Sequence, residues 1–296
     1  MNAIEVSQVS KSFRGIRAVN DLSFTVGTGE VFGMVGPNGA GKTTTLRMSM
    51  DIIKPDSGEI EILGEHINEE SKNRIGYLPE ERGLYRKITV SESLTYLAAL
   101  KNMKGRPVKD RTAALLERVD MVQHRNKKIE ELSRGMSQII QFIATILHDP
   151  ELIVLDEPFA GLDPVNTELL KGFILELKGQ GKSIILSTHM MNQVEELCDR
   201  VLMINKGQAV LYGGLGEIKS RFRNNSIFLE CDRIPDELPG VIGRKAHGKY
   251  IELFLDGQTP PFEVLAALVN SRSTINRFEV STPSLNEIFI QVVKEG

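Results

Sequence analysis

The sequence predicts an α/β protein built on a covered, largely parallel sheet, followed by a small C-terminal α+β domain. Three observations carry that reading. An apolar strand, a glycine-rich turn and a helix follow one another between residues 31 and 50. Short apolar runs then alternate with stretches of helical spacing between 152 and 198. Beyond Gly213-Gly214 the pattern changes to a second set of strands and helices.

Residues 3–35 alternate apolar and polar in places, at Ile4, Val6 and Val9 and at Leu22, Phe24 and Val26, and end in the apolar stretch Val31–Val35. Alternation of that period reads as strands. The turn occupies 36–41, and Thr43–Met50 reads as a helix. From about Thr89 to Leu147 apolar residues recur at helical spacing, as in Leu94, Leu97 and Ala98 and then Leu115, Leu116 and Val119, which predicts a helical insertion over about 86–150. The strand Leu152–Leu155, a helix near 164–178, the strand Ser183–Ser187 and a helix near 191–198 restore the alternation. Strands at Ser226–Glu230 and Tyr250–Leu255, a helix over Phe262–Asn270, a strand near 275–280 and a final helix make up the second domain. The expected division is therefore 1–215 and 216–296, with His247 and Lys249 in a solvated turn of the second part.

Composition sets bounds on function. The 296 residues suffice for two domains. With 41% hydrophobic and 25% charged residues and a net charge of −3, there is no basic excess of the kind a polyanion requires, so no nucleic-acid partner is expected. Apolar runs fall short of the roughly 20 residues a membrane span needs. The opening Met1-Asn2-Ala3-Ile4-Glu5 lacks the basic and apolar regions of a secretory signal, which predicts a cytoplasmic protein. Cys198 and Cys231 stand far apart outside metal-ligand spacing and read as ordinary thiols.

Gly36-Pro37-Asn38-Gly39-Ala40-Gly41-Lys42-Thr43 fits the phosphate-loop pattern G-x-x-x-x-G-K-[ST]. Its glycines let backbone N–H groups turn inward as an anion nest, and the following helix adds the positive end of its dipole. Lys42 would place a charge on the β- and γ-phosphates, and the Thr43 hydroxyl would ligate Mg²⁺. A chance match is expected in roughly 1% of sequences of this length, and the strand and helix flanks lower that further. The loop predicts nucleotide binding and leaves the job open.

Leu152-Ile153-Val154-Leu155-Asp156-Glu157 is an apolar strand ending in two carboxylates, at the strand end where ligands of parallel sheets sit. Asp156 would hold the Mg²⁺ shell, while Glu157, one residue on, would polarise an attacking water. Read blandly, an Asp-Glu pair after a strand is a helix start. His189 follows the strand Ser183–Ser187, so three strand ends converge on one crevice. Leu132-Ser133-Arg134-Gly135-Met136 precedes a helical stretch 23 residues before Asp156, counting from Ser133, which suits a helix N-cap.

Together, the phosphate loop, Leu132–Met136, Asp156-Glu157, Gly161-Leu162-Asp163 and His189 resemble, in order and spacing, the ATP-binding cassette (ABC) family over about residues 3–215. The resemblance implies a P-loop NTPase with a RecA-like core, an N-terminal antiparallel β subdomain and a helical insertion. It implies ATP and Mg²⁺ as ligands, and two cassettes packed head to tail so that each signature helix closes on the ATP held by the other's phosphate loop. Phe13 is then the platform under adenine, Gly36 through Thr44 (Gly36, Pro37, Asn38, Gly39, Ala40, Gly41, Lys42, Thr43, Thr44) hold the phosphates, and Ser133 and Gly135 touch the partner's γ-phosphate. Glu157, His189 and Lys42 carry the hydrolysis, Thr43, Asp156 and Glu80 the metal, and Asp163 links the two sites. Implied partners are a second ABC subunit, identical or not, and integral membrane permease subunits, which places the chain on the cytoplasmic face of a membrane.

Two departures stand out. The usual signature Leu-Ser-Gly-Gly-Gln here carries Arg134 and Met136, and the usual glutamine after Gly76-Tyr77-Leu78-Pro79 is Glu80, which still offers an oxygen to Mg²⁺. The stretch Pro79-Glu80-Glu81-Arg82-Gly83-Leu84-Tyr85, with the Arg-Gly-Met signature and the extra C-terminal domain, resembles the exporter subfamily that includes sodium and drug efflux ATPases. The expected function is the ATP-hydrolysing subunit of such an exporter. A soluble ABC ATPase of translation or DNA repair is the alternative; the single cassette and the 114-residue separation of Lys42 from Asp156 speak against it. A module that holds ATP without cleaving it is opposed by the intact Glu157 and His189.

Overall fold

The computed structural model describes residues 2–81, 83–222 and 225–295, and divides into two compact units, 1–215 and 216–296. Arg82, part of the Pro79–Tyr85 stretch, lies outside the described residues.

The first unit opens with a hairpin of β1 (Asn2–Phe13) and β2 (Ile16–Gly27), closed by Arg14-Gly15, both at positive φ as a two-residue turn of matching twist requires. Then come β3 (Val31–Val35), α1 (Lys42–Ser49), β4 (Ser57–Ile62), α2 (Glu69–Asn73) and β5 (Ile75–Leu78). Helices α3 (Val90–Leu100), α4 (Arg106–Arg118) and α5 (Arg134–Ile146) form the insertion, within 90–146. After it follow β6 (Leu152–Asp156), α6 (Pro164–Gly179), β7 (Ser183–Thr188), α7 (Met191–Leu197), β8 (Arg200–Asn205) and β9 (Gln208–Gly214).

Two sheets result. β2, β1 and β4 pair antiparallel in that order. The larger sheet runs β5-β6-β7-β3-β8-β9, parallel except for the edge strand β9. Every residue of β3, β6 and β7 is buried, which explains why these strands read as continuous apolar runs rather than alternating ones. Because β6, β7 and β3 are adjacent, their carboxyl ends bring Glu157, His189 and Gly36 to one edge.

The second unit contains α8 (Leu215–Arg221), whose first residue closes the first unit, then β10 (Ser226–Cys231), β11 (Val241–His247), β12 (Tyr250–Leu255), α9 (Pro261–Asn270), β13 (Ile275–Val280) and α10 (Leu285–Glu295). Its four strands pair in the order β11-β12-β10-β13, and Ile227, Leu229, Leu253, Leu255, Val264 and Leu268 form the core. His247 is not in a solvated turn. It closes the β11–β12 hairpin opposite Tyr250, on whose ring it stacks at 5.2 Å, and its Nε2 lies 3.0 Å from Glu252. Strands β4, β5, β8, β9 and β11 and helices α2 and α8 are additions to what the pattern predicts. β4 is largely exposed and α2 is a five-residue turn of helix, so neither carries an apolar repeat long enough to register.

Candidate active site

The phosphate loop joins β3 to α1 and lines a concavity of about 190 Å³ with Asn38, Gly39, Ala40, Gly41, Lys42, Thr43 and Thr44; Ala18, Glu80 and Glu157 complete it. Two of its glycines are required sterically. A Cβ on Gly36 would stand 2.1 Å from the Ile204 carbonyl oxygen, and Gly41 has φ +109 with the Ala18 carbonyl oxygen 2.5 Å from where its Cβ would be. The loop is thus clamped between β8 and β2 through backbone contacts. Gly36 and Pro37 do not line the cavity; their carbonyls accept from Lys42 Nζ at 2.8 and 3.2 Å.

Lys42 is 6% exposed and lies 3.9 Å from Glu157. Burial pushes its ammonium below the ordinary lysine range, against the pull of Glu157, Asp156 and Glu80. A desolvated cation facing three carboxylates is a ready partner for phosphate oxygens.

Glu157 occupies the left-handed region at φ 48, a conformation that costs a non-glycine residue about 1 kcal/mol. The surroundings over-determine it. Its N–H donates to the Ser187 carbonyl at 2.9 Å, the His189 N–H donates to Oε1 at 3.0 Å, His189 Nδ1 lies 2.9 Å from the same oxygen, and the Thr188 hydroxyl donates to Oε2 at 3.2 Å. β6 and β7 therefore present one carboxylate in one orientation at the cavity wall.

Asp156 is fully buried, yet neither carboxylate oxygen has a hydrogen-bond partner among the described residues, nor does the Ser187 hydroxyl. Burial raises its proton affinity; the nearby Thr43 and Ser187 hydroxyls pull it down without reaching hydrogen-bonding geometry, and Glu80 and Glu157 push it up. Orphaned buried acceptors of this kind are suited to a cationic ligand. Among the described residues no cluster of His, Cys, Asp and Glu forms a self-sufficient metal site. A single buried carboxylate beside a hydroxyl is the donor set of a cation that arrives with its own phosphate oxygens and waters.

The remaining predicted residues stand elsewhere. Ser133 caps α5, its hydroxyl accepting from the Met136 N–H at 3.2 Å, and both it and Gly135 lie outside the cavity of their own chain. Asp163 caps α6 from an exposed position, and the hydrogen bonds from Asn166 hold its carboxyl below the usual range. Phe13, at the hairpin tip, is 45% exposed and excluded from the core, with Lys11 Nζ 5.6 Å from its ring centroid. Ala18 and Thr188 join the site in addition to the residues the sequence predicts. Ala18 meets the phosphate loop through its backbone, which leaves no signature in residue type, whereas Thr188 was signalled by its place beside His189 at a strand end.

Fold and loop together define a P-loop NTPase. Residues 19–160 match the ABC transporter family, and residues 213–293 match the C-terminal domain of DrrA1-3-like ATP-binding proteins. The ABC transporter ATP-binding protein YhaQ of Bacillus subtilis is 41% identical over 293 residues, 98% of this chain and 98% of that one. Nod factor export ATP-binding protein I of Rhizobium sp. strain N33 is 38% identical over 214 residues, 71% of this chain and 70% of its own. A solved ATP-binding subunit of an ABC transporter superposes with a TM-score of 0.70 at 30% identity, over 74% of this chain and 93% of the other. The chain belongs to the ATP-binding proteins of ABC transporters, a family of ATP-hydrolysing enzymes. No helix among the described residues is long and apolar enough to cross a membrane.

Proposed function

We propose that this chain is the motor subunit of an exporter, in which MgATP closes two cassettes head to tail and hydrolysis reopens them, moving separate membrane subunits from the cytoplasmic face. One observation carries the composite site: Ser133 and Gly135 lie outside the cavity formed by Lys42, Thr43 and Glu157 of the same chain. A second cassette supplies them. The direction of transport rests on the Pro79–Tyr85 and Arg-Gly-Met sequences and on likeness to a Nod factor export protein.

In this reading the backbone N–H groups of 38–44 and Lys42 hold the phosphates, and exposed Phe13 stacks on adenine. Thr43, Asp156 and Glu80 are the residues that would hold Mg²⁺, which when bound would supply positive charge to the phosphates. Glu157, fixed by Thr188 and His189, orients the attacking water, and Asp163 meets the partner site. The C-terminal unit acts in dimer contacts or regulation.

Turnover per molecule should rise with protein concentration and saturate as the dimer forms. Turnover independent of dilution would remove the composite site. Purification from native membranes should bring an integral membrane protein with the chain, and its absence would remove the transport role.

A further inference from the structure

Helix α5 packs against β5, α3 and α6 through a largely apolar surface in which Ile139, Ile140, Phe142 and Ile143 are buried. Two glutamines, Gln138 and Gln141, interrupt that run three residues apart and are 4% and 5% exposed. Burying a primary amide is unfavourable unless it is paired, so their partners matter. Gln138 Nε2 donates to the Pro158 carbonyl at 3.2 Å. Gln141 Nε2, with two N–H bonds, serves the Pro79 carbonyl at 3.5 Å and the Glu81 carbonyl at 3.3 Å.

The acceptors share a feature. Pro158 follows Glu157 directly, while Pro79 and Glu81 flank Glu80, and Glu157 and Glu80 are the acidic residues lining the phosphate-loop cavity. Both amides sit on the helix whose first turn Ser133 caps. One rigid element thus reaches both acid-bearing loops, each time through a main-chain carbonyl, which fixes the backbone without engaging the acidic side chain.

We propose that Gln138 and Gln141 are positioning residues for ATP hydrolysis, tying the carboxylates of Glu157 and Glu80 to the signature end of α5 so that helix and acids move together. Gln141 has the greater effect. Among the described residues the other side-chain tie on the 79–81 loop is the 3.6 Å contact of Arg47 with Glu81, whose carboxylate side chain is 85% exposed, and an ion pair in water holds little. The Glu157 loop is held independently, by the Glu157 N–H on Ser187 and the Ala160 N–H on the Glu157 carbonyl at 3.1 Å.

The test is a double-mutant cycle on ATP turnover with Gln141→Leu, Glu80→Ala and the two combined. Leucine keeps apolar bulk and removes the donors. The expected result is a fall of about tenfold in kcat with KM for ATP changed by less than about twofold, and no additional loss when Gln141→Leu is placed on Glu80→Ala. Gln138→Leu should lower kcat by about threefold. Unchanged kcat, a change confined to KM, or losses that multiply across the pair would each overturn the assignment. If Gln141→Leu loses its cooperative thermal transition, Gln141→Asn, whose amide is one methylene too short to reach, is read by the same outcomes.

Discussion

Each unit of the chain buries a carboxylate in its sheet, and the two are treated oppositely. Glu252, 9% exposed on β12, accepts from the Ser226 hydroxyl at 2.9 Å and meets His247 Nε2 at 3.0 Å. Asp156, fully buried at the end of β6, meets no donor among the described residues. Around Glu252 the closed network leaves no acceptor open to a ligand, whereas the open carboxylate of Asp156 costs stability that a ligand recovers. The contrast marks the first unit as the one that binds and the second as structurally self-contained at this point. Substitutions in the two networks should therefore separate turnover from stability.

The largest effect belongs to Glu157→Gln, which keeps the shape and most of the contacts but removes the charge that orients water. Turnover should fall by about a thousandfold with ATP binding retained, measured by steady-state hydrolysis and nucleotide titration. Loss of binding together with turnover would assign Glu157 to the ligand cradle instead. Next comes Lys42→Ala, which leaves Glu157 without the cation 3.9 Å away and the phosphates without their point charge. ATP affinity should weaken about a hundredfold, read by equilibrium binding. Affinity within a few-fold of the parent would mean that the backbone nest carries the phosphates alone.

These two residues were legible because their chemistry needs a fixed residue type at a fixed spacing. The phosphate loop and the strand-end acid pair are local in sequence, so pattern reaches them. The long apolar runs of β3, β6 and β7 were legible for a different reason, since burial on both faces removes alternation. Exposed β4 and the short helix α2 carried no such repeat. His247 was misread because its partner Glu252 sits on the next strand, and cross-strand pairing depends on register that the pattern alone does not give. Gln138 and Gln141 did leave a trace, as polar residues set into an apolar helical run, but their backbone acceptors are distant in sequence, 62 residues away for Pro79.

Glu252→Ala tests the closed network. Removing the acceptor leaves Ser226, 1% exposed, and half-buried His247 without it, and the second unit should lose about 2 kcal/mol in denaturant unfolding while ATP turnover per folded molecule stays unchanged. A matching loss of turnover would show that the two units are coupled through this network.

Asp156→Asn should do the reverse and give the smallest change in stability. Burial raises the proton affinity of Asp156 above the ordinary value of 3.8, so its contribution to stability is fully present below pH 3.8 and is lost as pH rises through the raised folded value. The neutral amide escapes that loss, and the nucleotide-free first unit should gain about 1 kcal/mol at pH 7, a gain that shrinks as pH falls toward 3.8. With saturating MgATP the order should invert, because only the carboxylate recovers its desolvation through the cation. A variant less stable than the parent without nucleotide would mean that Asp156 is already satisfied in the free protein, and the opposition between the two buried acids would fail.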